Sequence, residues 1–192
     1  MKLIQGSVSL EYVTPLALVT NAARASYQSY DGQNEDGDER LLRHFVKNDE
    51  SPLEFSLAVF SVTCSYAAHV HFVRHRTLRQ SWLSQRYTEG LGFILPPGLS
   101  SDEADAYKAA FQSAEEAYER VRRQGTSKKQ DARYLMPQAT AMQGWIAGDA
   151  RNLLKTLRLR SAKKAMPETR HMALEMQAKL EAAWPSLFEK SP

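Results

Sequence analysis

Arg74-His75-Arg76-Thr77-Leu78-Arg79-Gln80-Ser81-Trp82-Leu83-Ser84-Gln85-Arg86-Tyr87 is the stretch of this chain richest in chemistry. Arg74, Arg76, Arg79 and Arg86 concentrate positive charge next to a serine hydroxyl. Guanidinium forks grip phosphate oxygens in pairs and stay charged at any physiological pH, while a hydroxyl and loop amides complete the cradle. A nucleoside monophosphate is a sufficient ligand. Taken singly, the arginines also fit a solvated helix end and a surface strand. The spacing of the whole pattern, Arg-His-Arg, seven residues, Ser84, then Arg86-Tyr87, argues for more than solvation.

Working outward, Leu57 to Cys64 is rich in β-branched and aromatic residues and reads as a buried strand. Tyr66 to Arg76 follows as a helix, so the basic motif closes a helix and runs into a loop. Upstream, Val8, Leu10 and Tyr12 alternate with polar residues as a half-buried strand does, and Pro15 suits the first turn of a helix through Arg24. Ser29 to Asp38 is polar and reads as a loop, with helical spacing returning at Glu39 to Lys47. Ser51-Pro52-Leu53-Glu54 has the form of a capping box around one short turn. Downstream, Leu95-Pro96-Pro97-Gly98 interrupts regular structure. Ser100 or Ser101 then caps a long helix to about Arg123, ended by Gly125. Ser127 to Met136 reads as a helix stopped by Pro137, and Ala139 to Trp145 as a strand. Asp149 to Arg160 and Pro167 to Ala183 read as amphipathic helices. The class is α+β, a mixed or antiparallel sheet flanked by helices with a helix-rich C-terminal half, in one domain over residues 1–192.

Composition narrows the function. With 43% hydrophobic and 24% charged residues in 192, the chain buries one substantial core. A net charge of +3 suits phosphate-bearing partners but is small for a nucleic-acid binder. No apolar run approaches a membrane span, and Met1-Lys2-Leu3-Ile4-Gln5-Gly6 lacks a signal peptide's apolar segment, so the expected location is cytoplasmic. Cys64 is the single cysteine. It forms no internal disulfide and no cysteine-rich metal site, and no metal is expected.

The Arg74–Tyr87 pattern resembles the signature of the flavin-dependent thymidylate synthases (ThyX). Other landmarks stand in the right order. Ala22-Ala23-Arg24-Ala25-Ser26-Tyr27 resembles that family's N-terminal segment, and Ser51-Pro52-Leu53-Glu54 resembles its serine/threonine-proline-aromatic-glutamate turn. Arg133 with Pro137, Asp149-Ala150-Arg151, Leu157-Arg158-Leu159-Arg160 and Glu168-Thr169-Arg170 resemble its C-terminal blocks. The resemblance implies the ThyX-like fold and C5 one-carbon transfer from methylenetetrahydrofolate to a pyrimidine deoxynucleoside monophosphate. In that reaction reduced FAD turns dUMP into dTMP. It also implies a homotetramer with active sites shared between subunits. Carried over by position, His71, Arg74, Trp82, Ser84, Gln85, Arg86, Arg133 and Arg160 hold the nucleotide. Arg160 is the catalytic cation that polarises the ring. Ser51, Glu54, Arg74, His75, Arg76, Asp149, Arg151 and Lys155 contact the flavin cofactor.

Several roles stay open at this level. Ser84 has arginines rather than a base beside it, which fits binding better than nucleophilic attack. Cys64 lies in an apolar strand and reads as a core thiol. Trp82 fits core packing as well as stacking on a base or flavin ring. The chain departs from the family where Arg79, Ser81 and Trp82 replace Ser, Asn and Glu. Asp49 replaces a histidine, Asp149 an asparagine, and Lys155 and Lys164 an amide or imidazole. A flavin-free or flavin-altered relative would deliver the carbon to water, giving a 5-hydroxymethyl nucleotide, or take hydride from folate itself, and dCMP is an alternative substrate to dUMP. A single-stranded nucleic-acid-binding module, with four arginines interleaved by Trp82 and Tyr87, is the reading from another class. A catalytically dead partner subunit is a third.

Overall fold

Alternation of apolar and polar side chains sets the sheet. In the computed structural model, which describes residues 2–26, 28–124 and 129–188, β1 (Ser7–Val13) leads into α1 (Leu16–Ala25) and α2 (Glu35–Asn48). A 3-10 turn at Ser51–Phe55 precedes β2 (Ala58–Ser65), α3 (Tyr66–Phe72) and β3 (Arg79–Trp82). Then come α4 (Ser101–Arg123), α5 (Lys129–Ala132), β4 (Ala141–Gly148), α6 (Ala150–Arg160), α7 (Pro167–Ala183) and α8 (Pro185–Phe188). The strands form an antiparallel sheet in the order β1-β2-β4-β3. The observed class is α+β, with three of the four strands in the first half of the chain and α4 to α8 in the second.

Register decides which side chains meet. Phe60 pairs with Ile146 and Ile146 with Gln80, while Val62 pairs with Gly144 and Gly144 with Trp82. One sheet face therefore carries Val8, Phe60, Val62, Cys64 and Ile146, all buried. The helices cover that face: Val19, Phe45, Leu53, Phe72, Leu153, Leu157, Met176 and Leu180 complete the core. The opposite face carries Ser9, Ser61, Trp145 and Ser81 in one row and stays open, with Trp145 half exposed. Cys64 is fully buried, and burial pushes its thiol well above the ordinary range, as its place in an apolar strand implies.

α7 is the clamp of this arrangement. The Glu168 carboxylate accepts from the Ser65 backbone N–H (2.7 Å) and the Ser65 hydroxyl (2.5 Å). Ser65 itself caps α3 by accepting from Ala68 N–H at 3.0 Å. The next amides of that helix, Tyr66 and Ala67, donate to the carbonyls of Thr140 and Gln138. The start of α3 thus has its unpaired donors satisfied. Two residues along α7, Arg170 Nε donates to the Ser161 carbonyl (3.1 Å), just past the end of α6. The same stretch of α7 therefore holds the start of one helix and the end of the other.

Several boundaries differ from the sequence reading. α2 begins at Glu35, inside the expected loop, because Asn34 accepts from Gly37 N–H and Glu35, Asp36 and Asp38 complement the positive end of the helix. Ser51 is not a capping residue: the 3-10 turn has Glu50 at its N-cap without a side-chain cap. α3 stops at Phe72 rather than Arg76, which leaves Arg74, His75 and Arg76 on the turn after it. Residues 79–82, expected in a loop, pair with β4 as its edge strand. β4 runs Ala141–Gly148 rather than 139–145. The expected stop at Gly125 and helix start at Ser127 lie outside the described residues. From Lys129 a short helix passes into a 3-10 turn, Arg133–Leu135.

Gly144 makes room for an indole, since a Cβ built there would lie 2.3 Å from Trp82 Cε3 and 2.7 Å from the Ser81 carbonyl. Gly144→Ala is expected to displace Trp82 and cost about 1–3 kcal/mol. Urea unfolding should show this as a lowered midpoint with an unchanged slope.

Candidate active site

Arg160, at the last position of α6, meets the two imidazoles that α3 and its following turn present. Its Nε donates to His75 Nε2 (2.8 Å), one terminal nitrogen to His71 Nδ1 (3.1 Å), and the other to the His71 carbonyl (2.9 Å). A guanidinium only donates, so both ring nitrogens are acceptors and both rings are neutral in this arrangement. Burial lowers the pKa of His75 first, and the Arg160 charge second. Burial also lowers that of Arg160. Of the guanidinium's five N–H groups, one on each terminal nitrogen remains for a ligand. The turn carrying His75 is itself tied down: Gln80 Nε2 donates to the Phe72 carbonyl at 2.9 Å.

A second group forms an open cleft of about 360 Å³ lined by Tyr66, Gln85, Arg133 and Tyr134. Ser84 closes the turn beside it, its carbonyl accepting from Tyr87 and Thr88 N–H at 3.1 and 3.0 Å. Arg86 is exposed and lies over the Tyr87 ring, 5.4 Å from its centre. Tyr66 begins α3 and His71 stands near its end, so about 8 Å of helix separates the cleft from the Arg160 group. Within one chain the two groups are neighbours with no hydrogen bond joining them among the described residues.

A third group uses another row of α6. Asp49 ends α2 in the left-handed conformation (φ 55°), which aspartate tolerates better than most residues. There its carboxylate accepts from Arg151 Nε (2.8 Å), Arg151 Nη2 (3.2 Å) and Lys155 Nζ (2.9 Å). Glu54 takes the remaining Arg151 terminal nitrogen at 2.6 Å. These bonds hold the Asp49 carboxyl down at about 2, the Arg151 guanidinium contributing most. Arg74 and Arg76, by contrast, are exposed and have no carboxylate partner among the described residues.

The expected site residues therefore fall into three sets. His71, His75 and Arg160 come together. Gln85 and Arg133 share the cleft, with Ser84 and Arg86 on its adjoining turn. Arg151 and Lys155 are joined through Asp49 and Glu54 is joined to Arg151, whereas Ser51 is exposed. Trp82 and Asp149 stand apart from these sets. The Trp82 ring packs edge-on against His69 at 4.6 Å, and its Nε1 donates to Gln80 Oε1 at 3.0 Å, because the register of β3 turns it to the covered face. Asp149 is buried as the N-cap of α6, its two oxygens taken by Asn152 N–H (2.9 Å) and Asn152 Nδ2 (2.8 Å). Arg24, in the family-like N-terminal segment, is also buried, paired with Asp38 at 2.6 Å.

Two contributors escaped the sequence reading. Asp49 was visible only as a replaced histidine, with nothing to signal a hub. Thr156 has its hydroxyl 3.2 Å from His75 Nδ1 and stands four residues before Arg160. That spacing places both on one helix face and was the available signal.

Residues 10–186 match the family described as "Thymidylate synthase complementing protein". The flavin-dependent thymidylate synthase of Pyrobaculum aerophilum is 34% identical across 77% of the chain, which spans 59% of that relative's length. That of Clostridium tetani is 28% identical, covering 95% of this chain and 84% of the relative. A UMP/dUMP methylase from Streptomyces cacaoi, solved with 5-Br dUMP, superposes with a TM-score of 0.86 at 24% identity, over 98% of this chain and 96% of that one. The Helicobacter pylori thymidylate synthase ThyX, solved with FAD and dUMP, gives 0.79 at 24% identity, over 96% and 98% of the two chains. The two structures establish the likeness of fold.

His69 and His75 both have lowered pKa values, His69 through burial alone. The unfolded chain therefore binds protons more readily than the native one just below the ordinary value of 6.5. Their contribution is complete above that value and is lost as pH falls below it toward the depressed native values. Thermal unfolding followed from pH about 8 to about 5 should show Tm falling on the acid side. The fall should be smaller in His75→Gln.

Proposed function

The chain belongs to the thymidylate synthase complementing protein family, and on that premise we propose that it transfers a one-carbon unit from methylenetetrahydrofolate to C5 of dUMP, forming dTMP. The observation that carries this reading is the Arg160 guanidinium, held by His71 and His75 with one N–H on each terminal nitrogen left over. C5 of a pyrimidine becomes nucleophilic when negative charge collects on the N3 side of the ring. A fixed cation there lowers the barrier because its orientation needs no rearrangement during reaction. The cleft with Gln85 and Arg133, together with Ser84 and Arg86, suits the phosphate.

The guanidiniums of Arg74 and Arg76, exposed and without a carboxylate partner among the described residues, fit a dinucleotide's phosphates, and His75 lies between them in sequence. FAD, when bound and reduced, supplies the hydride that completes the methyl group. Arg151 and Lys155, the other cations expected to contact the cofactor, have their charges already matched by Asp49 and Glu54. This pairing favours one second reading, in which flavin binds weakly and water captures the carbon as a 5-hydroxymethyl group. A cytosine ring accepts from Arg160 as well as a uracil anion does, so dCMP belongs in the same assay. The family resemblance further suggests a cytoplasmic homotetramer whose active sites are shared between subunits.

The test is mass analysis of dUMP or dCMP after incubation with methylenetetrahydrofolate and a reduced-flavin system. A gain of one methyl on dUMP is expected, and unchanged nucleotides in every combination would refute the catalytic reading. Arg160→Ala should lower kcat by about 10²-fold or more with an unchanged circular dichroism spectrum. Arg133→Ala should act mainly on KM, raising it about tenfold, the scale of one lost charge-assisted bond.

A further inference from the structure

Arg160 imposes a condition on His75 that the imidazole cannot meet alone. Its Nε–H points at His75 Nε2 from 2.8 Å, so that ring nitrogen must be bare. A neutral imidazole with a bare Nε2 carries its proton on Nδ1. That proton faces Thr156 Oγ1 at 3.2 Å. Thr156 is 2% exposed, so a hydroxyl rather than bulk water meets it. The opposite assignment, Thr156 donating to Nδ1, would put a proton on Nε2 and set two donors against each other.

We propose that Thr156 is a positioning residue for one-carbon transfer: by accepting the Nδ1 proton of His75 it fixes the tautomer that receives Arg160 Nε–H, and so aims the guanidinium's unused N–H groups. The role for Arg160 rests on the function proposed above, whereas the tautomer lock itself does not. The charged and titratable partners brought to His75 are Arg160 from α6 and, through Arg160, His71 from α3. Both demand the neutral rings that Thr156 accommodates. α6 thus supplies the cation and, one turn earlier, the group that orients the cation's acceptor. In a variant with an apolar residue at 156 the Nδ1 proton loses its hydroxyl partner. The tautomer with Nε2–H then gains population and turns a donor toward Arg160.

The experiment compares wild type, Thr156→Ser and Thr156→Val by 15N NMR of histidine side chains in the ligand-free protein at about pH 8, above the ordinary imidazole range. His75 is assigned through His75→Gln. Wild type and Thr156→Ser should show the Nδ1–H tautomer, and Thr156→Val a shift toward Nε2–H. In the methyl-transfer assay Thr156→Val should lose tenfold to about hundredfold in kcat, with Thr156→Ser retaining at least about half of the wild-type rate. A wild-type His75 carrying its proton on Nε2, or a Thr156→Val protein with an unshifted tautomer, would overturn the proposal. So would a Thr156→Val protein whose tautomer shifts while its kcat stays at the wild-type value. If Thr156→Val does not fold, the wild-type signature together with the Thr156→Ser rate decides it by the same criteria. A wild-type protein that modifies no nucleotide but shows Nδ1–H and the shift would remove the catalytic role and leave the lock standing.

Discussion

A guanidinium has no lone pair to offer, and the centre of this molecule is organised around that fact. Every polar neighbour that touches Arg160 must accept, and the structure provides two imidazole nitrogens and a backbone carbonyl that do. Histidine is a conditional acceptor, available only when neutral and in the right tautomer. At His75, partial burial supplies the first condition by disfavouring the charged ring. Carboxylates would have been simpler acceptors, but they would neutralise the cation. Imidazoles hold the charge in place without cancelling it, which is what a site that stabilises a developing anion requires.

The scaffold brings these groups together through α7. Glu168 and Arg170, two residues apart, secure the start of α3 and the end of α6 by bonds of opposite polarity. Each bond satisfies backbone groups that a helix terminus leaves unpaired. The sheet contributes on its covered face, where the missing side chain of Gly144 admits Trp82, and the indole in turn holds Gln80 beneath the turn carrying His75. Packing and site geometry thus share residues.

Much of this was legible in the sequence, for reasons specific to each part. The strand Ala58–Ser65 stood out because its residues are β-branched and aromatic, and α6 and α7 because their apolar positions recur at helical spacing. The signature pattern located Arg74 to Arg86, and Arg160 was found by its place in a C-terminal block. What sequence periodicity could not supply was register. The placement of Trp82 on the covered face follows from its pairing with Gly144, some sixty positions away. The Asp49 hub likewise depends on a left-handed residue at the end of α2 meeting a helix that begins a hundred positions later. Asp149, carried over from its place in a family-like block, caps α6 with both its oxygens, a local role that an acidic residue before a helix also fits.

The burial of Cys64 has a practical corollary. The chain's single thiol is sealed inside the sheet's covered face and its ionisation is suppressed. Maleimides and other electrophiles meet an inert background, so one cysteine introduced at an exposed position becomes the sole point of attachment. A spectroscopic reporter near the Arg133 cleft, or a pair of them across two copies, can be installed without first deleting anything native.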